Sequence, residues 1–259
     1  MYSFVKLFSA LALLALARAF PSAPIRRDTG LGSMCSTKNF DLSKSVPADI
    51  YSALPKPNTS APTFVALSVG VQNYTCGDAG TWTPIGAITY LYDISCIPQE
   101  EHANFTTMVS EMWAGSPRTY TADDIVAGTV ASGSAAALGL HFWVTDPNNV
   151  TSGKIFGKWD FARSRESVEK NIENTYVVCS ETGAQPDPIN PAINSPWLAE
   201  PVLYVDGKKD GLLADQVYRF NSNGGQAPNT TCRPGYDFLQ AKSTLNFWLY
   251  GGVYADTIF

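Results

Sequence analysis

The alternation of apolar and polar positions predicts a chain built mainly from short β-strands. Residues 63–74 alternate and are rich in β-branched side chains, and residues 86–93 repeat this pattern after a glycine-containing turn at 76–83. Similar runs occur at 140–144, 155–161, 176–179, 197–205, 214–221 and 245–250. Short strands separated by turns favour an antiparallel β-sandwich or barrel.

One segment, residues 98–113, departs from the strand pattern and predicts a helix packed on the sheet. Its apolar residues recur at helical spacing, and Pro98 with the two following glutamates suits a first helical turn. His102 is predicted on the solvated side of this helix, because no second metal-ligating side chain follows at ligand spacing. Thr121–Asp124 has the pattern of a capping box for a short helix, and residues 163–174 predict a second peripheral helix.

The first residues have the three-part pattern of a cleaved secretory signal, predicted over residues 1–19. Their apolar run is shorter than the ~20 residues that cross a bilayer. Residues 20–27 end in two arginines and form a possible propeptide. Residues 28–62 are predicted to be an irregular, proline-rich lead-in, and residues 63–259 a single β-rich domain. These boundaries predict a secreted, extracellular protein.

Composition excludes several kinds of partner. Loss of the signal removes Lys6 and Arg18 and no acid, which moves the net charge from −5 to −7. An acidic chain without a basic run is a poor ligand for nucleic acid or for an anionic membrane. No second apolar run reaches bilayer length, so no membrane span is predicted.

The five cysteines are predicted to meet an oxidising compartment. An odd number allows at most two internal disulfides and leaves one thiol. Cys76 and Cys96 flank two predicted strands and are expected to pair. For the other three the sequence leaves the partners open; we favour Cys35–Cys232, with Cys179 free and buried.

The acceptor pattern for N-glycosylation occurs at five positions, which predicts a glycoprotein: Asn58, Asn73, Asn104, Asn149 and Asn229. Asn73 lies in a predicted strand and must face outward to carry a glycan. Strand alternation then puts Gln72 and Tyr74 on the other face. This requires either an edge strand or an unoccupied acceptor.

Enzyme signatures are mostly missing from the sequence. It has no nucleophile elbow, no dinucleotide-binding glycine loop and no set of metal ligands, so no cofactor and no metal are predicted. Residues 206–211 are predicted to form a hairpin turn and not a calcium loop, because Lys208 stands at a ligand position. His141, in an apolar strand, is either a hydrogen-bonded core residue or a general base that works with Asp160 or Asp215.

Four stretches together resemble a known family. They are GVQNYTC at 70–76, GLHF at 139–142, SPWL at 195–198, and QVYRFNSNGGQAP at 216–228 followed by Cys232. In this order they resemble the secreted domain-of-unknown-function family 3455, over roughly residues 60–250. The resemblance implies no activity. Many fungal members carry a malate dehydrogenase label, which this chain does not support because it lacks a Rossmann glycine loop. Family members usually have an acid before the last aromatic strand, which residues 245–250 lack.

Two main functional hypotheses follow, with a purely structural secreted protein as a third. The first is a surface or binding protein of the cell wall or a host interface, whose partner is a wall polysaccharide or a small apolar or aromatic ligand. A sugar-stacking surface could use Trp82, Trp143, Trp197 and Trp248, although large aromatic side chains more often fill cores. The alternative is an extracellular hydrolase or isomerase with His141 as its general base.

Overall fold

The computed structural model describes residues 35–117, 119–129, 137–161 and 175–256. The described helices are α1 (Ala48–Ala53), α2 (His102–Gly115) and α3 (Ala122–Thr129). The described strands are β1 (Phe64–Cys76), β2 (Trp82–Asp93), β3 (Ala137–Thr145), β4 (Ile155–Asp160), β5 (Tyr176–Cys179), β6 (Gly183–Gln185), β7 (Trp197–Pro201), β8 (Tyr204–Val205), β9 (Lys208–Lys209), β10 (Gln216–Gly224) and β11 (Phe238–Tyr250).

Nine of these strands form one antiparallel sheet in the order β5-β4-β3-β2-β1-β11-β10-β7-β6. The sheet curls into a half-barrel. The β5 edge of the sheet contacts the segment that follows β7. The Val178 amide donates to the Asp210 carbonyl, and the Val178 carbonyl accepts from the Leu203 amide, each at 2.8 Å. The predicted mainly-β, antiparallel class is thus confirmed.

The central strand β1 is buried on both faces. Val65, Leu67 and Val69 pack on the outer, helix-covered face, while Phe64 and Ala66 point into the curl of the sheet. Because both faces are covered, this part of β1 is apolar at every position except Ser68. Beyond Val69 the outer face is only partly covered.

Helix α2 confirms the predicted main helix. It follows a 3-10 turn at Gln99–Glu101 and packs Phe105 and Val109 on the outer face. Near its end, the indole nitrogen of Trp113 donates to the Gly70 carbonyl at 2.8 Å. The helix therefore stops covering β1 at about the level of Gly70.

The prediction of a solvated His102 is wrong. The side chain is fully buried, with Nε2 3.0 Å from the Ile97 carbonyl oxygen and edge-on ring contacts to Phe40 and Trp248. The preceding 3-10 turn carries the acids and leaves His102 on the inward side of α2. Burial lowers the pKa of His102.

Two local motifs form as predicted. The Thr121 hydroxyl accepts from the Asp124 amide, and Asp124 accepts from the Thr121 amide at 2.8 Å, which is a capping box at the start of α3. Strands β8 and β9 form the predicted hairpin, with Asp206 and Gly207 at positive φ. The helix predicted over 163–174 lies outside the described residues. The lead-in is not wholly irregular, since it contains α1 and a 3-10 turn at Leu42–Lys44.

Both predicted disulfide pairings are wrong. The bonds are Cys35–Cys96 and Cys76–Cys232, while Cys179 is free and buried, as predicted. The reason is the β1–β2 hairpin. Cys76 lies at its turn, opposite Trp82, and Cys96 follows the far end of β2. At about 3.3 Å per residue, a strand of this length keeps the two cysteines far apart.

Candidate functional site

Polar residues from four of the resembling stretches and from β7 meet on the inner face of the curled sheet. We call this group the inner polar cluster and define it as Gln72, Tyr74, His141, Ser195, Glu200 and Arg219, all of them buried. Strands β1, β3, β7 and β10 each place at least one of these side chains inward, and Ser195 lies just before β7. Residues far apart in sequence are thus brought to one place by the sheet.

One end of the cluster is a closed hydrogen-bond network. The Gln72 amide nitrogen donates to the Ser195 hydroxyl at 2.8 Å. The Tyr74 hydroxyl lies 3.2 Å from the Gln72 amide oxygen and donates to the Gly225 carbonyl at 2.7 Å. Gly225 has φ +90°, and a Cβ there would lie 2.4 Å from the Ser195 hydroxyl oxygen. This position therefore requires glycine.

Arg219 carries the positive charge of the cluster. Its side chain is 8% exposed, and Nε donates to the Pro196 carbonyl at 2.9 Å. Among the described residues, none accepts a hydrogen bond from its two terminal nitrogens. Glu200 lies diagonally across the β7–β10 ladder, beside Val217, and does not come within the 4.0 Å of an ion pair.

Burial shifts the pKa of Glu200, the acid of this cluster. Desolvation raises the pKa of Glu200 to about 7, an effect that the charge of Arg219 opposes. Burial also raises the pKa of Tyr74, again against the influence of Arg219. At mildly acidic pH the cluster therefore carries a net positive charge.

His141 is a neutral, buried histidine. Its ring packs against Trp159 and Phe247, with centroids 4.6 and 4.9 Å away. Burial, with a smaller effect of the Arg219 charge, lowers the pKa of His141 to about 3.

A short hydrogen-bond chain links the ring of His141 to β1. Ser68 donates to the Thr89 hydroxyl oxygen at 2.7 Å, and Thr89 lies 3.4 Å from Nδ1 of His141. The Thr89 hydroxyl donates to Nδ1 or accepts from it according to the tautomer of the ring, and in either case it holds the orientation of the ring.

The predicted acids do not join His141. Asp160 lies opposite Leu140 in the β3–β4 ladder, on the other face of the sheet from His141, and pairs with Lys158 at 3.2 Å. Asp215 pairs with Lys209 next to β10. The general base and its two candidate partners therefore form no common site.

The outer face carries an open groove of about 530 Å³ over β2 and β3, which we call the outer groove. Leu140 and Phe142 reach it because they flank His141 and alternation turns them to the opposite face. Ile85 and Ile88, 48% and 54% exposed, and Asp160 also line it. Lys158 lies 5.7 Å from the centre of the Phe142 ring.

The four tryptophans proposed for sugar stacking do not form one surface. Trp197 and Trp248 are buried in the core under α2. Trp82 and Trp143 are half-buried, and Trp143 lines the outer groove.

The predicted glycosylation acceptors differ in exposure. Asn73 is half-buried in β1, which is a central strand and not an edge, whereas Asn58, Asn104, Asn149 and Asn229 are exposed. The five acceptors remain predictions.

Glu200 and Arg219 were not singled out as site residues from the sequence. The sequence feature that could have identified them is a charged residue inside an otherwise apolar strand. Glu200 lies in WLAEP and Arg219 in QVYRF. A lone charge there must be paired or functional, since charged side chains are seldom fully buried.

The described ranges hold neither a cluster of metal-ligating side chains nor a membrane-spanning helix. In them no three His, Cys, Asp or Glu side chains cluster as metal ligands would. None of the helices in those ranges is long and apolar enough to cross a membrane.

The fold and the two disulfides define a disulfide-bonded, mainly-β protein of the kind that folds in an oxidising, extracellular environment. Residues 57–251 match the model of the family described as Protein of unknown function (DUF3455). The chain belongs to this family, as its motifs indicated. No curated protein and no solved structure is detectably similar to it.

Proposed function

We propose that the protein is a secreted glycoprotein of the cell wall or a host interface that binds wall polysaccharide through the outer groove. The signal-like segment, five acceptor asparagines and two disulfides all suit export. These features support a partner outside the cell. The chemistry of the exposed surface then indicates which kind of partner it is.

The observation that carries the proposal is an exposed apolar and aromatic strip beside a charged pair on a sheet surface. Sugars present C–H faces that pack on aromatic rings, and hydroxyl groups that need hydrogen-bond partners. Phe142 and Leu140 offer the first kind of contact, and Asp160 offers acceptors for the second. The groove is open along β2 and β3, which suits an extended chain better than an enclosed small molecule.

Lys158 adds to the polar side of this surface. Its ammonium group bonds Asp160 at 3.2 Å and lies 4.1 Å from the centre of the Tyr176 ring. This pair holds the carboxylate in place next to the aromatic strip. An immobilised polar group costs less entropy when a ligand binds.

The test is retention of the purified full chain on insoluble glucan, chitin and cellulose, scored by the fraction bound. Phe142→Ala and Asp160→Asn are expected to weaken retention by about tenfold each, since hot-spot contacts are worth about 1–2 kcal/mol. Phe238→Ala is the matched control, because Phe238 is also an exposed aromatic strand residue but does not line the groove. If the wild-type chain binds none of the three polymers, or if Phe142→Ala and Phe238→Ala behave alike, the proposal fails.

A further inference from the structure

We infer that the inner polar cluster holds a small oxyanion, a carboxylate or phosphate-type ion, on the guanidinium group of Arg219. This site lies on the opposite face of the sheet from the outer groove. The inference therefore does not depend on the proposed function.

The first argument is the unmatched charge of Arg219. The side chain is more than nine-tenths buried, yet Nε is the one donor for which the described residues supply an acceptor, the Pro196 carbonyl. The two terminal nitrogens are not among the buried polar atoms that lack a partner, so they keep some contact with solvent. Charges at largely buried positions are normally paired, because a partly dehydrated ion is costly. The terminal nitrogens of Arg219 therefore call for an acceptor, and an ion from solution can reach them.

Glu200 is not that acceptor. Its carboxylate does not come within 4.0 Å of the guanidinium nitrogens. Its raised pKa, about 7, also means that it is largely protonated in a mildly acidic medium. A neutral Glu200 leaves the charge of Arg219 uncompensated.

Other groups on the inner face are also donors without acceptors. Within the described ranges, the indole nitrogen of Trp159 and the hydroxyl of Ser243 are buried and have no hydrogen-bond partner. An excess of donors over acceptors favours an anion over a cation or a neutral apolar molecule.

The planar shape of the Arg219 guanidinium group indicates which anions it binds best. Its planar fork matches two oxygens of a carboxylate or phosphate, which makes the contact bidentate. The aromatic rings of His141, Trp159 and Phe247 pack within about 5 Å of one another on the same face, and Phe247 is the ladder neighbour of Arg219. Such close packing suits a small ion better than a large ligand.

The experiment titrates the full chain with sodium acetate, sodium phosphate or sodium chloride at constant ionic strength, at about pH 6, where Glu200 is largely protonated. Thermal unfolding and calorimetry measure binding. Acetate or phosphate is expected to raise the melting temperature in a saturable way. Arg219→Lys keeps the charge and loses the fork, and is expected to weaken binding by about tenfold. Arg233→Lys is the matched control, because Arg233 is exposed and already paired with Asp237.

Three results would overturn the inference. The first is no saturable effect of either oxyanion on the wild-type chain. The second is an equal effect in both arginine variants, which indicates general salt exclusion from the surface. The third is saturable binding of chloride without oxyanion binding.

If Arg219→Lys does not fold, a wild-type crystal soaked in selenate still tests the inference. The anomalous signal should place selenium next to the terminal nitrogens of Arg219. A signal confined to surface lysines would mean an adventitious ion only, and would contradict the assignment.

Discussion

The Tyr74 hydroxyl donates a 2.7 Å hydrogen bond to the carbonyl of Gly225, a residue 151 positions later in the chain. This contact ties the end of the central strand β1 to the loop that follows β10. Gln72, two residues earlier on the same face, holds Ser195 in the segment before β7. Three distant segments are thereby joined, and Pro196 within them accepts from Arg219. The inner polar cluster is therefore part of the architecture as well as a candidate binding site.

Substitution of Gly225 is expected to lower the stability of the protein strongly. Gly225→Ala should lower the free energy of unfolding by about 3 kcal/mol or more, because an added Cβ combines left-handed strain of about 1–2 kcal/mol with a clash. The Cβ would lie 2.4 and 2.9 Å from the hydroxyl oxygens of Ser195 and Ser243. Urea unfolding measures the loss.

Gly153→Ala is the matched control for this substitution. Gly153 also has positive φ, +73°, but nothing lies within 4 Å of its added Cβ. Gly153→Ala should therefore lower the free energy of unfolding by about 1–2 kcal/mol, from the left-handed backbone strain alone. Equal losses in the two variants would show that the contacts around Gly225 are not tight.

The disulfide pairing predicts two different losses of stability. In the chain-entropy model, the Cys76–Cys232 bond spans 156 residues and is worth about 5 kcal/mol, and the Cys35–Cys96 bond spans 61 and is worth about 4 kcal/mol. Replacing both cysteines of a pair by serine should lower the free energy of unfolding by amounts of this order.

Mass spectrometry of non-reduced peptides checks the pairing directly. A cross-linked peptide that joins Cys76 to Cys96 would contradict the structure. Cys179→Ala serves as the control, since it removes the free thiol and leaves both bonds intact.

Glu200 predicts a specific dependence of stability on pH. Its pKa is raised from 4.5 to about 7 on folding, so the folded protein holds the proton more tightly than the unfolded chain. The contribution of Glu200 to stability is therefore complete below pH 4.5 and is lost as pH rises towards 7, by about 3 kcal/mol.

Glu200→Gln should remove this contribution. The difference in free energy of unfolding between the variant and the wild type then grows with pH across that window. His141 has the opposite effect on stability, because its lowered pKa makes the free energy of unfolding decrease as pH falls below 6.5. This effect is the same in the variant and in the wild type, so it cancels in the difference between them. Glu111→Gln is the matched control, because it makes the same replacement at an exposed position of α2. Parallel curves for Glu200→Gln and wild type would refute the assignment.

Glycan occupancy is expected to follow the fold. Asn149 lies in an exposed loop, where its side-chain oxygen accepts from the Thr151 hydroxyl at 2.9 Å and leaves the amide nitrogen outward. Asn73 is half-buried on a central strand and lines the outer groove. Peptide mapping after enzymatic deglycosylation in heavy-oxygen water should label Asn149 fully and Asn73 weakly. The reverse order would show that the outer groove is occupied by the chain's own glycan.

Local patterns were sufficient wherever neighbours in sequence decide the structure. The helical spacing of Phe105 and Val109 predicts α2, and the run of β-branched side chains in residues 63–74 predicts β1. The Thr121–Asp124 box and the turn at Asp206 form for the same reason, since each needs only residues within one turn.

Local patterns failed where the answer depends on which strand lies beside which. The pairing of Cys76 depends on the β1–β11 ladder, which carries the chain before Phe238 back to the end of β1. The burial of His102 depends on Phe40 and Trp248, which belong to other elements. His141 and Asp160 looked compatible in sequence but face opposite sides of the sheet.

The sequence by itself determined the main strands, the main helix α2, the number of disulfides that could form and the family, because these depend on periodicity, counts and short motifs. Only the tertiary structure decided the disulfide partners, the separation of His141 from the predicted acids and the gathering of Arg219 and Glu200 on one inner face. The physical reason is that strand order and sheet curvature set these distances, and both arise from packing between residues that are far apart along the chain.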